Sequence, residues 1–144
     1  MGRADEAGDS LLMLRTLLAV VLLAAPAALA CECKQSSPAR TFETADAVFE
    51  ATTLGPVVFE PRPGGDGKAR VTVGRRWKGV DSGGELELHV NGGKSCGYQF
   101  KEKTSYLVFA TKDADGVLRV SLCSATQPLA DAKAALEKLP APSR

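Results

Sequence analysis

Apolar residues are distributed along the chain in two ways. Residues 16 to 30, TLLAVVLLAAPAALA, form one continuous run, whereas from residue 41 onward the apolar positions come in short, spaced groups. In ELELHV the alternation is strict. Leu86, Leu88 and Val90 face one way and Glu85, Glu87 and His89 the other, which predicts a half-buried strand with its histidine toward solvent. Runs rich in β-branched and aromatic residues, ADAVFEATTLG, ARVTVGRRWKGV, YLVFA and VLRVSLC, predict further strands. Between them PVVFEPRPGGDGK reads as a long loop or an extended hairpin tip, and DSGG, NGGKS and KDADG read as turns.

Helical signals are fewer. The lead CECKQSSPAR has neither a helix nor a strand period, and Thr41 to Asp46 fits one helical turn. Leu129, Ala132, Leu136 and Leu139 recur at helical spacing after Pro128 and end at Pro140, predicting one amphipathic helix packed on a sheet. Five or six short strands at spacings of about ten residues, with one C-terminal helix, predict a mainly β fold. A small antiparallel barrel or sandwich fits, and a five-stranded OB-like barrel is one of the candidates.

The continuous run has the length of a secretory h-region and falls short of the roughly 20 apolar residues that span a bilayer. Pro26 breaks it, and Ala28-Leu29-Ala30 forms an A-x-A cleavage pattern that places the cut before Cys31. Residues 1–30 are therefore expected to be a signal peptide, residues 31–139 the mature domain and residues 140–144 a short tail. No transmembrane span is expected in the mature chain. Residues 1–12 carry Asp5, Glu6 and Asp9 against Arg3, whereas Met13-Leu14-Arg15 makes a better positive lead, which points to Met13 as the initiator. Export implies an extracellular or periplasmic location. The alternative is a lipoprotein of the outer envelope, acylated at Cys31. ALAC supplies the small residue this requires, but Ala28 stands where leucine is usual, and acylation would leave an odd three cysteines.

All four cysteines, Cys31, Cys33, Cys96 and Cys123, lie in the exported part. An even number in a small secreted domain reads as two disulfides, with three pairings open. Cys31 and Cys33 are too close to bridge comfortably to each other, so each should reach one of the distant pair. Closing loops of roughly 60 to 90 residues constrains the unfolded chain by about 4 to 5 kcal/mol per bridge on loop entropy.

Charge and chemistry narrow the function. With 18 basic and 17 acidic residues the chain has no field suited to nucleic acid, and the short RRWK run fits a solvated strand end. The single histidine supports no Ser-His-Asp or Cys-His pairing and no zinc site built from the chain's own histidines. There is no phosphate loop and no recognisable pair of catalytic acids. Read as a redox pair, Cys31-Glu32-Cys33 lacks a base to lower a thiol pKa. The chain is thus expected to be neither an enzyme nor a cofactor binder, and to act as a monomer.

With the cut before CEC, the ordered pieces resemble the inhibitory domain of the tissue inhibitors of metalloproteinases, a netrin-like OB fold. The opening Cys-x-Cys, ADAVFEA, WKG at 77 to 79, CGYQF followed by SYLVFA, and LCS before a helix agree in order across nearly all of residues 31 to 139. The chain looks closer to the short bacterial-type members, which lack the second domain. The resemblance implies disulfides Cys31–Cys96 and Cys33–Cys123, with no cysteines left for the family's third bridge. It also implies a zinc metalloendopeptidase as partner, whose catalytic zinc is bound in trans by the amino nitrogen and carbonyl oxygen of Cys31. The inhibitory wedge would comprise Cys31, Glu32, Cys33, Lys34, Ser95, Cys96, Gly97 and Tyr98. Glu32 departs from the small hydroxyl residue typical of the family, and a carboxylate in an apolar pocket costs several kcal/mol unless a cation meets it. A netrin-like module that binds another exported protein without inhibiting it is the alternative.

Overall fold

The computed structural model describes residues 31, 33, 34, 37–92 and 96–143; the expected signal segment lies outside these, as do Glu32 and Ser95. The chain enters through helix α1 (Pro38–Thr44), longer and earlier than the single turn expected at Thr41. Its start is written locally: Ser37 is the N-cap, its hydroxyl accepting the Arg40 N–H at 3.3 Å, and Pro38 occupies the first turn, where no N–H partner is needed.

Among the described residues seven strands follow: β1 (Ala47–Thr53), β2 (Val58–Phe59), β3 (Gly67–Lys78), β4 (Gly84–Val90), β5 (Ser105–Lys112), β6 (Leu118–Val120) and β7 (Gln127–Pro128). Pairing runs β1-β3-β4-β6-β5, and β5 returns to β1 from Ala47↔Ala110 to Thr52↔Ser105, which closes a five-stranded barrel. This is the small OB-like barrel expected, with one difference: β4 and β6 pair in parallel, His89 opposite Arg119 and Val90 opposite Val120. The short β2 and β7 lie outside the ring, β2 on β3 and β7 on β5. The Pro/Gly-rich segment is thus a hairpin extending from β3, one of the two forms expected for it.

Alternation along the strands builds two cores. Phe49, Ala51, Val71, Leu88, Val90, Tyr106, Val108 and Val120 fill the barrel. The opposite faces of β1 and β5 carry Val48, Leu107 and Phe109, which pack outside the barrel against Trp77, Ala132 and Ala135. That second layer explains why the middle of β5 is apolar at every position while β4 alternates: β5 is covered on both faces, whereas β4 turns one face outward. Two register shifts between β1 and β3, around Phe49, bend the strands into the ring.

The C-terminal helix is shorter than expected. Gln127 and Pro128 are consumed as β7, Leu129–Asp131 form a 3-10 turn, and α2 covers Lys133–Leu136. Ala132, with φ −87° and ψ 4°, breaks the continuity between the two. The expected stripe is nevertheless satisfied, since Leu129, Ala132, Leu136 and Leu139 all reach the outer core. Beyond α2 the chain is held by the Trp77 indole N–H, which donates to the Pro140 carbonyl at 2.9 Å.

Gly79, the glycine of WKG, sits where β3 leaves the barrel. Its φ of +73° lies in the left-handed region, and a β-carbon there would run into the Asp46 carbonyl oxygen. Among the described residues no helix is long and apolar enough to cross a membrane.

Candidate functional site

Cys31 and Cys33 stand two apart in the sequence. Both are disulfide-bonded, Cys31 to Cys96 and Cys33 to Cys123, with Cα–Cα separations of 5.7 and 5.1 Å. The pairing is the one the resemblance implies, and it closes sequence separations of 65 and 90 residues. The partners come from different loops: Cys96 from the segment between β4 and β5, Cys123 from the turn after β6. These loops are joined to each other. Gly97 and Ser121 form an isolated antiparallel bridge, and the Leu122 N–H donates to the Cys96 carbonyl at 3.2 Å.

The Cys123 loop is fixed to the barrel beneath it. Its buried Thr126 hydroxyl accepts the Phe109 N–H at 2.9 Å and lies 3.3 Å from the Phe109 carbonyl, filling a gap at the edge of β5. Ser124 Oγ lies 2.8 Å from the same hydroxyl. The Cys96 loop is held by aromatic packing. The Tyr98 ring lies 4.7 Å from Phe100 and edge-on to Tyr106 at 5.9 Å. Burial, with a smaller contribution from the neighbouring Tyr106 phenol, pushes the Tyr98 hydroxyl up to about 12. Tyr98 therefore packs beneath the ridge as a half-buried anchor, and Gly97 beside it is buried. Cys33, Lys34, Cys96 and Cys123 are exposed, and Cys31 is half-buried. Six of the eight expected wedge residues can thus be located: four on the strap or ridge surface, two underneath it. Glu32 and Ser95 lie outside the described residues.

One group beside this platform gave no signal in the sequence. Arg119 of β6 donates from Nη1 to Asp66 Oδ2 at 2.7 Å and from Nε to Asp113 Oδ2 at 2.8 Å. Hydrogen bonds from Arg119 hold both carboxyls below the ordinary range, helped at Asp66 by the Gly92 N–H and at Asp113 by the Val117 and Asp115 N–H groups. Asp113 also closes the turn expected at KDADG, accepting those two N–H groups at 3.0 and 2.9 Å.

His89 corrects an expectation. It lies on the outer face of β4, but its side chain is only 16% exposed, flanked in register by Lys68 and Arg119 and 3.0 Å from Glu87 Oε1. Parallel pairing with β6, which alternation cannot reveal, supplies the Arg119 flank. Among the described residues no three His, Cys, Asp or Glu side chains gather to hold a metal.

Along β2 and the segment that leads into it, Leu54, Val58 and Phe59 are exposed apolar side chains within six residues of one another. The Phe59 ring and Val57 close over Gly67, where a β-carbon would meet both and Val90 as well. The sequence matches no protein-family model and no curated protein.

Proposed function

We propose that the chain is exported, loses residues 1–30, and then acts as a single-domain inhibitor of a zinc metalloendopeptidase. The observation that supports this reading is the convergence of both disulfides on residues 31 and 33. Two cross-links on a three-residue strap cost the unfolded chain much entropy, and leave the future N-terminus with little freedom to lose on binding.

The chemistry follows from the position of Cys31. Cleavage before it creates an α-amino group whose nitrogen, with the carbonyl oxygen of the same residue, closes a five-membered chelate ring on a metal. A catalytic zinc keeps one coordination position open for water, and that is the position such a chelate fills. With an ordinary pKa of about 7.7–8.0, the amine is partly neutral near physiological pH, and its lone pair is available at modest cost. The zinc belongs to the partner, and the chain supplies the ligand and the rigid mount. Lys34, Cys96 and the flanking ridge contact the cleft walls, and Glu32 selects a target with a cationic group in the adjoining pocket.

The test is to titrate a zinc endopeptidase with the exported protein and with a variant carrying one extra alanine before Cys31. Inhibition by the first and loss of inhibition by the second, with identical circular dichroism, supports the mechanism. Equal inhibition by both contradicts it.

A second reading is favoured by the hairpin. Leu54, Val58 and Phe59 offer an apolar surface that needs no terminal amine, which suits a module that binds an exported protein without inhibiting it. Intact mass of the exported protein separates both readings from a lipid-anchored form, because acylation adds the mass of its chains and removes one disulfide.

A further inference from the structure

Arg119 stands where three connecting segments meet. Through Asp66 it reaches the end of the β2–β3 hairpin, and through Asp113 it reaches the β5–β6 turn. Asp66 passes the contact on, its Oδ1 accepting the Gly92 N–H at 3.2 Å at the start of the segment that carries Cys96. At Gly92 that segment also lies so close to the carbonyls of Gly64 and Gly65 that no side chain could be accommodated. Arg119 itself is on β6, whose continuation carries Ser121 and Cys123. One guanidinium therefore ties together both segments that receive the N-terminal strap.

We propose that the Asp66–Arg119–Asp113 clamp is the positioning device of the disulfide ridge, setting where the Cys96 and Cys123 loops stand relative to each other. The disulfides tether Cys96 and Cys123 to each other only through the short Cys31–Cys33 strap, which limits their separation but leaves the orientation of the two loops to other contacts. The Leu122–Cys96 hydrogen bond and the Gly97–Ser121 bridge set it from one side, and the clamp sets it from the other. An isolated surface ion pair holds little in place. Here one planar donor serves two carboxylates at once, with side chains only 31, 27 and 22% exposed for Arg119, Asp66 and Asp113, so its freedom is lost once for two charge-assisted bonds. The functional half of this proposal, that the clamp aims the zinc-directed terminus, rests on the inhibitory reading. The geometric half stands without it.

The experiment compares the exported natural protein with Arg119→Met, Arg119→Lys and Asp66→Asn, using Arg70→Met as the control that removes an exposed ion pair elsewhere on the barrel. Both disulfides are first confirmed by thiol count, and amide exchange is then followed residue by residue by NMR. The clamp predicts exchange at Leu122 faster by about tenfold in Arg119→Met, with the amides of Tyr106, Leu107 and Val108, in the part of β5 away from β6, unchanged. Arg119→Lys, which can reach one carboxylate at a time, falls between, and Arg70→Met leaves Leu122 unchanged. Inhibition of a zinc endopeptidase weakens by a similar factor in Arg119→Met. Unchanged exchange at Leu122, or a uniform rise that includes Tyr106 to Val108, overturns the proposal; if Arg119→Met does not fold, Asp66→Asn gives the same comparison. If the natural protein inhibits nothing while the exchange pattern holds, the inhibitory reading fails and the clamp stands.

Discussion

The amide of Leu122 donates to the carbonyl of Cys96 across 3.2 Å, joining two loops whose cysteines both bond to the same three-residue strap. The strap, the two loops and the barrel edge below them form one cross-linked unit, and perturbing any part of it gives a distinct result.

Replacing Cys33 and Cys123 together by serine opens the longer closed loop and is expected to cost about 2 to 5 kcal/mol. Urea unfolding of the protein spanning residues 31–144 measures this. The far-ultraviolet circular dichroism of the folded baseline should stay unchanged, because the barrel core draws nothing from this bridge.

Gly79→Ala is expected to destabilise by more than about 1 kcal/mol, since it combines a left-handed backbone with a collision at the Asp46 carbonyl. Gly55→Ala, where a β-carbon meets nothing within 4 Å, is the matched control and should be near neutral or mildly stabilising. Comparison of urea midpoints at equal slope decides between them.

Stability should fall in acid, and part of that fall belongs to Asp66 and Asp113. Arg119 lowers both carboxyls in the folded state, so their contribution is fully present above the unfolded value of about 3.9 and is lost as pH falls through the lower folded values. Arg119→Met should flatten the dependence of stability on pH below about 4, as read from urea midpoints at a series of pH values. An unchanged slope would mean that the clamp is not formed in solution.

Tyr98 gives a signal at the opposite end of the scale. Its folded value is raised to about 12 against an ordinary value of about 10, so the stability it confers is present below pH 10 and is lost as pH rises toward 12. Ultraviolet difference titration should show Tyr98 ionising late, and Tyr98→Phe should remove that step with little loss of stability. Tyr98→Ala removes the contacts with Phe100 and Tyr106 and should cost at least about 1 to 3 kcal/mol, since each ring pair is worth about 0.5–1.5 kcal/mol beyond the apolar area lost with it.

Glu32→Thr bears on the choice of target. The change is expected to tighten inhibition of endopeptidases with an apolar specificity pocket, because it removes a carboxylate whose desolvation costs several kcal/mol there. Inhibition constants for the two proteins against one such protease measure it, and equal constants would mean that residue 32 stays outside the pocket.

The sequence made the barrel legible because its strands carry different patterns for physical reasons. ELELHV alternates since Glu85 and Glu87 on one face of β4 meet water, and YLVFA is continuous since β5 is covered by the barrel interior on one face and by the outer core with Leu129, Ala132 and Leu136 on the other. Elsewhere local signals were present but outweighed. Ser37-Pro38 marks the start of α1, yet the polar lead around it hides the helix. The stripe from Leu129 to Leu139 is apolar at helical spacing, yet pairing of Gln127 and Pro128 with β5 takes its first turn. The residues alone left two disulfide pairings open, and only the family resemblance distinguished the one observed. The clamp was beyond reach, because Arg119 and Asp66 are 53 residues apart and meet only when β6 closes the barrel in parallel with β4.

The central claim, that the amine and carbonyl of Cys31 bind a partner's zinc, is tested most directly on a zinc endopeptidase whose metal has been replaced by cobalt. Titrating it with the exported protein should change the visible absorption of the metal, saturating at one equivalent, and the variant with an alanine before Cys31 should produce no change. Inhibition without any change in the cobalt spectrum, or the same change with the extended variant, would contradict chelation by Cys31.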